Sequence, residues 1–182
     1  MCYNEEKQAM ENRMFKRFKP DFTFSSYREI TVEFLAEQGI RALLIDIDNT
    51  LAPYEQPEPD DALTEWFAEL KRSGVKAALV SNNNTERVEL FNKGLGLPAY
   101  ANSHKPSRKA LLLAISALGV EKDGCAVLGD QLFTDAYAGR RLGLRVLIVP
   151  PIKDKKTLFF RVKRALERPI MKSFERDRAK KS

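Results

Sequence analysis

The chain has 182 residues, 43% of them hydrophobic and 31% charged, and a formal net charge of +6. That length fits one domain with a core that needs no covalent staples. Cys2 and Cys125 are too few for a disulfide framework and show no metal-ligand spacing, which suits a reducing cytoplasm; no apolar run approaches the roughly 18 residues of a membrane span, and Met1 to Lys7 lacks the apolar h-region of a signal peptide.

Residues 1–22 read as a polar, basic arm ending at Lys19-Pro20-Asp21. Residues 27–38 place Ile30, Val32, Phe34 and Leu35 at helical spacing and stop near Gly39. Apolar runs at 41–46, 75–80, 125–129 and 144–149 read as strands, with a brief extended piece at 98–102 as a candidate fifth. Helical patterns lie between them. In 61–72, Leu63, Trp66, Phe67 and Leu70 share one face and Gly74 follows the end. In 85–93, Val88, Leu90 and Phe91 point inward; 107–118 is strongly apolar and stops at Gly119; 134–141 ends before Gly143. Pro53, Pro57 and Pro59 make 53–59 a loop or small flap. Strands alternating with helices predict a parallel sheet with right-handed crossovers. The organisation expected is an arm (1–22), an α/β domain (23–152) and a basic tail (153–182).

The run Ala42-Leu43-Leu44-Ile45-Asp46-Ile47-Asp48-Asn49-Thr50 begins apolar and ends in two acids. Positions i and i+2 of a strand share a face, so Asp46 and Asp48 should lie close together at a strand's carboxyl end. Open parallel sheets place their ligands there. Two carboxylates so close need a cation, a shared proton or separate tasks. Capping of the following turn is the bland explanation for such a pair. Three further clusters follow other apolar runs or loops: Ser81-Asn82-Asn83, His104-Lys105-Pro106, and Gly129-Asp130-Gln131-Leu132-Phe133-Thr134-Asp135.

These four pieces, in this order, resemble the motifs of the haloacid dehalogenase-like (HAD) superfamily of aspartate-nucleophile phosphatases. The resemblance implies a three-layer Rossmann-like fold with a mostly parallel sheet. It makes Asp46 the nucleophile and Asp48 the general acid/base. Dehalogenase relatives lack that second acid, so its presence implies phosphoryl transfer. Mg2+ would be held by Asp46, the backbone carbonyl of Asp48, and Asp130, with Asp135 holding a metal-bound water or Lys105. Ser81 and the Asn82 amide would bind a phosphoryl oxygen, Lys105 would neutralise charge during transfer, and Thr50 would orient the aspartate loop. Competing roles stay open: Asn83 and Asn84 as helix caps, Asp135 as an acid at a helix N-terminus, Pro106 as a helix start. Gly129 would let the backbone turn at the strand end, and His104 reads as a rim residue.

Only 33 positions separate Asp48 from Ser81 and 24 separate Ser81 from Lys105. No cap domain fits into gaps that already hold helices, so the site should be open. The chain most resembles small, cap-poor YqeG-type members of HAD subfamily IIIA, whose relatives include phosphatidylglycerophosphate phosphatases. That resemblance implies an anionic lipid head group as substrate. The same chemistry on a phosphoprotein, nucleotide or nucleic-acid end is the alternative, and a non-catalytic interaction module is a third.

From Lys153 to Ser182 there are 12 Lys or Arg against 4 Asp or Glu, leaving 19 against 21 for the rest. Leu158, Phe159, Val162, Ala165 and Leu166 fall on one helical face, and Pro169 interrupts the pattern. A basic amphipathic helix over 155–182 would contact anionic membrane from the cytoplasmic side. It could equally pack on the domain or remain a solvated end. The tail lacks the tandem aromatics that stack on bases, which disfavours nucleic acid.

Overall fold

The computed structural model describes residues 15–153 and 158–179, the last helix by backbone alone at 158–164 and 178–179. Its strands are β1 (Phe22–Thr23), β2 (Ala42–Ile45), β3 (Lys76–Val80), β4 (Ala99–Tyr100), β5 (Cys125–Gly129) and β6 (Arg145–Ile148). They form one sheet in the order β1-β6-β5-β2-β3-β4, and every pairing is parallel. β2 and β5 are buried along their whole length, which is why their sequences are unbroken apolar runs rather than alternations.

Helices cover both faces. α1 (Val32–Glu37), α2 (Asp61–Arg72) and α3 (Thr85–Asn92) precede or follow the central strands. Leu35 of α1, the Leu63, Trp66, Phe67 and Leu70 stripe of α2, and Val88 and Phe91 of α3 pack on Leu43, Ile45, Leu79 and Leu128. On the opposite face α4 (Lys109–Leu118) lays Ala110, Leu111, Ala114 and Ile115 against Leu44, Ala78, Val80 and Val127. α5 (Tyr137–Leu142) follows a π-helical turn over Leu132–Ala136. The fold is therefore the expected three-layer, Rossmann-like α/β arrangement. Among the described residues no separate lid domain occurs and no helix is long and apolar enough to cross a membrane.

Several expectations shift in detail. The helix expected over 27–38 splits into a 3-10 turn (Tyr27–Glu29) and α1, because the Thr31 hydroxyl accepts from Phe34 N and starts the helix there. Pro106 does not open α4, which begins at Lys109 after a turn closed by Ser107 N donating to His104 O. The described end of the arm joins the sheet: Phe22 and Thr23 pair with β6, and Asp21 accepts from Val146 N and from Arg140, each at 2.8 Å.

The tail differs most. α6 (Leu158–Ala179) runs straight through Pro169. Among its described side chains Glu167, Ile170 and Ser173 are buried, while Leu166 is 58% exposed and Ala165 is exposed. Ile170 packs with Leu132, Ala136, Val146 and Ile148, and the Glu167 carboxylate accepts from Leu132 N at 3.0 Å. Of the apolar face expected over 158–166, Ala165 and Leu166 are exposed and do not dock; Leu158, Phe159 and Val162 lie outside the described side chains.

Candidate active site

β2 sits at the switch point of the sheet. The chain leaves it for β3 and β4 on one side, then returns to build β5 and β6 on the other. A crevice opens where successive crossovers diverge, at the carboxyl ends of the strands. All four sequence clusters arrive at this end.

Asp46 extends β2 by one hydrogen bond, its N–H donating to Leu128 O at 2.9 Å. The chain then turns tightly: Thr50, Leu51 and Ala52 N–H groups all donate to Ile47 O, and Asn49 takes a left-handed φ of 65°. Asn is among the few non-glycine residues at ease there. The turn leaves Asp46 and Asp48 buried beside one cavity of about 210 Å³. Ser81, Asn82, Asn83 and Lys105 line the same cavity.

Lys105 is the electrostatic centre of this end. Its buried Nζ lies 2.7 Å from Asp46 Oδ1 and 2.8 Å from Asp135 Oδ1, and donates to Val80 O at 2.6 Å. Burial alone would discharge the amine, yet the Asp135 and Asp46 carboxylates override it and raise its pKa. Asp46 also shifts upward, which for a carboxyl favours the neutral form. Burial, reinforced by Asp135 and Asp130, lifts its carboxyl to about 8, although Lys105 pulls downward.

One carboxylate oxygen each from Asp46, Asp130 and Asp135 fall within 4.8 Å of one another. Three acids against a single ammonium leave this corner net negative, and its donors are hard oxygens, the set that suits Mg2+. The residues present fit the metal. The Asp48 carboxylate is not in the trio; its backbone carbonyl is the ligand the resemblance implies.

Gly129 makes the corner possible. A Cβ there would stand 2.4 Å from Asp135 Cγ and 2.6 Å from Oδ2. The glycine is the last residue of β5 and is not in the positive-φ region. The turn suggested by its sequence position is thus not its role, which is to admit the Asp135 carboxylate. Asp135 Oδ2 also accepts from Gln131 N and from the Thr134 hydroxyl.

Ser81 Oγ accepts from Asn83 N at 3.1 Å. Asn82 braces the lysine loop: its Oδ1 accepts from Lys105 N at 2.6 Å and from the Ser103 hydroxyl at 2.7 Å, and its Nδ2 donates to Lys105 O. Asn84 caps α3 by accepting from Arg87 N, whereas Asn83 reaches into the site and donates to Asp48 Oδ2 at 2.9 Å. The Thr50 hydroxyl is buried and meets no hydrogen-bond partner among the described residues. His104 is exposed with φ of 50° and lies outside the cavity lining.

Two residues of the site escaped the sequence. Arg87 donates to Asp48 Oδ1 through Nε at 3.3 Å and Nη2 at 3.2 Å. A cation in the first turn of a helix opposes the macrodipole, and that anomaly is the signal that could have found it. Tyr54 lines the cavity from the flap; burial first, then Asp48, Asp46 and Asp130, raise its hydroxyl to about 12, so it remains a donor. A tyrosine in a proline-rich loop gives no comparable signal.

A switch-point crevice with paired aspartates and a buried lysine is an arrangement suited to an enzyme site. Residues 25–143 match the family model of the haloacid dehalogenase-like hydrolases. The "Probable phosphatase YqeG" of Bacillus subtilis (strain 168) is 37% identical over 161 residues, covering 88% of this chain and 94% of its own. An uncharacterized protein of Listeria monocytogenes serotype 4b has a similar crystal structure, with a TM-score of 0.52, 16% identity, and coverage of 65% and 85% of the two chains. This chain belongs to the haloacid dehalogenase-like hydrolase family.

Proposed function

We propose that this chain is a magnesium-dependent phosphomonoester hydrolase with Asp46 as nucleophile, acting on an anionic phospholipid with a terminal phosphate, such as phosphatidylglycerophosphate. The chain is a HAD-type phosphatase by family and by its Bacillus relative. The observation that carries the finer reading is the buried Asp46 carboxylate, held at 2.7 Å by Lys105 and facing the cavity that Ser81 and Asn82 share.

In this reading an Asp46 oxygen attacks phosphorus while the ester P–O bond breaks. Asp48 gives its proton to the leaving oxygen. In the second half Asp48 takes a proton from water, the water oxygen attacks phosphorus, and the Asp46–phosphorus bond breaks to release phosphate. Ser81 and the Asn82 amide bind a phosphoryl oxygen, and Lys105 offsets the negative charge gathering around Asp46. Asp46, Asp130 and the Asp48 carbonyl would hold Mg2+, with Asp135 behind them. When bound, the metal neutralises charge between carboxylate and phosphate.

Two features support a lipid surface. Among the described residues no lid encloses the cavity, so a phosphate borne on something large can reach it. Following Lys105 and Pro106 in the chain, the start of α4 carries a basic surface lined by Arg108, Lys109 and Arg141, with Leu112 and Leu113 41% and 49% exposed. Cations flanking exposed leucines suit an anionic bilayer. Phosphate release from phosphatidylglycerophosphate in mixed micelles tests the reading, with Asp46→Asn alongside and p-nitrophenyl phosphate as the generic substrate. Fast, Asp46-dependent release far above the generic rate is expected. Generic turnover with slow lipid turnover would discard the lipid and keep the phosphatase.

A further inference from the structure

The Asp48 carboxylate has both oxygens engaged. Asn83 Nδ2 donates to Oδ2 at 2.9 Å, while Arg87 Nε and Nη2 both donate to Oδ1. The third guanidinium nitrogen of Arg87, Nη1, donates to Pro57 O at 3.0 Å, in the flap that also carries Tyr54. The Arg87 side chain is only 12% exposed, and its guanidinium carbon lies 5.1 Å over the Phe91 ring, a core residue of the same helix. The guanidinium is thus fixed on three sides: by the helix below, the flap at one end and the carboxylate at the other. A lysine could not reproduce this, because it lacks the planar fork.

We propose that Arg87 is a positioning residue that aims the Asp48 carboxylate at the leaving group and ties that aim to the 53–59 flap. This rests on the reading of Asp48 as the proton-transferring acid. A carboxylate on one χ1 and one χ2 has several rotamers, and only one lets it serve the bond that Asp46 breaks. Asn83 fixes one oxygen; Arg87 fixes the other and so sets the plane of the group. Because the same guanidinium holds Pro57 O, a flap displaced by the substrate's leaving portion would change the hold on Asp48. The flap can therefore report an occupied site to the acid without touching it.

The consequence is a defect that depends on the leaving group. A p-nitrophenolate departs without a proton, so phosphoryl transfer to Asp46 needs no aimed acid. An alkoxide needs the proton. The second half-reaction needs Asp48 as base for either substrate. We would measure steady-state kinetics and rapid-quench bursts for Arg87→Lys and Arg87→Ala with p-nitrophenyl phosphate and with glycerol 3-phosphate. Misaiming by an ångström costs about 100-fold. The expected result is a loss of that order in kcat for the alkyl ester, with KM changed less than about threefold. With p-nitrophenyl phosphate, a stoichiometric burst of p-nitrophenol should persist and stand above a slowed steady state. Arg87→Lys should show the same pattern, since charge without the fork does not restore aim.

Equal losses on both substrates with no burst, or full activity in Arg87→Lys, would overturn the proposal. Circular dichroism of both variants identifies one that fails to fold, and the lysine variant keeps the test alive if the alanine variant does. Asp46→Asn and Asp48→Asn run beside them. Wild-type turnover independent of Asp46 would sink the phosphatase mechanism itself, whereas Asp46-dependent turnover indifferent to Arg87 would sink only the role given to Arg87.

Discussion

The carboxylate of Asp135 occupies the space where a side chain at Gly129 would begin, 2.4 Å from the nearest atom. Strand β5 thus ends in the one residue that lets an acid from the next turn fold back onto Lys105. Gly129→Ala must push the Asp135 backbone or side chain away, since the atoms it meets are the carboxylate's own Cβ and Cγ. Overpacking of this kind costs about 1–3 kcal/mol. Urea unfolding should show that loss, and Mg2+ should bind more weakly in calorimetry. Wild-type stability and metal affinity in Gly129→Ala would show that the corner tolerates displacement.

Lys105 holds two buried carboxylates at 2.7 and 2.8 Å. Removing one member of a buried ion pair typically costs about 3–5 kcal/mol, because the remaining charge is stranded. Lys105→Met should therefore lose both turnover and thermal stability. Lowering the pH from 8 to 5 should recover part of the stability, as the Asp46 carboxyl, already raised by burial, takes up a proton. A methionine variant as stable as wild type at pH 8 would refute the charge balance described for this corner.

The raised carboxyl of Asp46 sets a pH dependence. Unfolded, it titrates near 3.9; folded, near 8. Between those values the folded state holds a proton that the unfolded state has lost, so stability falls as pH rises through the window. The metal-free protein should melt lower at pH 8 than at pH 5. Magnesium competes with that proton, so its stabilising shift should be larger at pH 8. Scanning calorimetry with and without Mg2+ checks both; a shift independent of pH would remove Asp46 from the metal site.

The tail can be tested apart from the membrane. Glu167 accepts from the buried Leu132 N–H, and Ile170 fills a cluster with Val146 and Ile148. Glu167→Ala should cost about 1–3 kcal/mol for the amide it leaves without its carboxylate. Deleting residues 155–182 should destabilise the whole domain and lower activity on soluble and vesicle substrates alike. A truncated protein with unchanged melting temperature but poor vesicle activity would make the tail a membrane element instead.

The surface at the start of α4 makes the opposite prediction. Arg108→Glu with Lys109→Glu, and Leu112→Ser with Leu113→Ser, alter exposed side chains. Both pairs should reduce sedimentation with phosphatidylglycerol vesicles while leaving p-nitrophenyl phosphate turnover unchanged. Vesicle binding that survives both would clear this surface of any membrane role.

The sequence by itself determined the central strands of the sheet and the position of its chemistry; the edge strand β1 falls at the end of what reads as the arm. The buried central strands are short apolar runs bounded by turn residues, and Asp61–Arg72 is legible because one apolar stripe fills it and Gly74 follows its end. Asp46, Ser81 and Asp130 are legible because each stands at the end of an apolar run that must finish at the same edge of a parallel sheet, whereas Lys105 stands out only through the family resemblance. Only the tertiary structure decided which groups meet across that edge. Arg87 reaches Asp48 from 39 positions away, and Tyr54 enters from a loop whose prolines specify no conformation. Gly129 looked like a turn residue until the partner for its missing side chain, Asp135, came into place. The tail's docked residues were also hidden: its apolar periodicity marks 158–166, but the domain surface offers Leu132 N–H and an apolar notch that take Glu167 and Ile170. Local periodicity fixes which residues are buried within an element; which side chain fills a particular gap depends on surfaces brought together from distant parts of the chain.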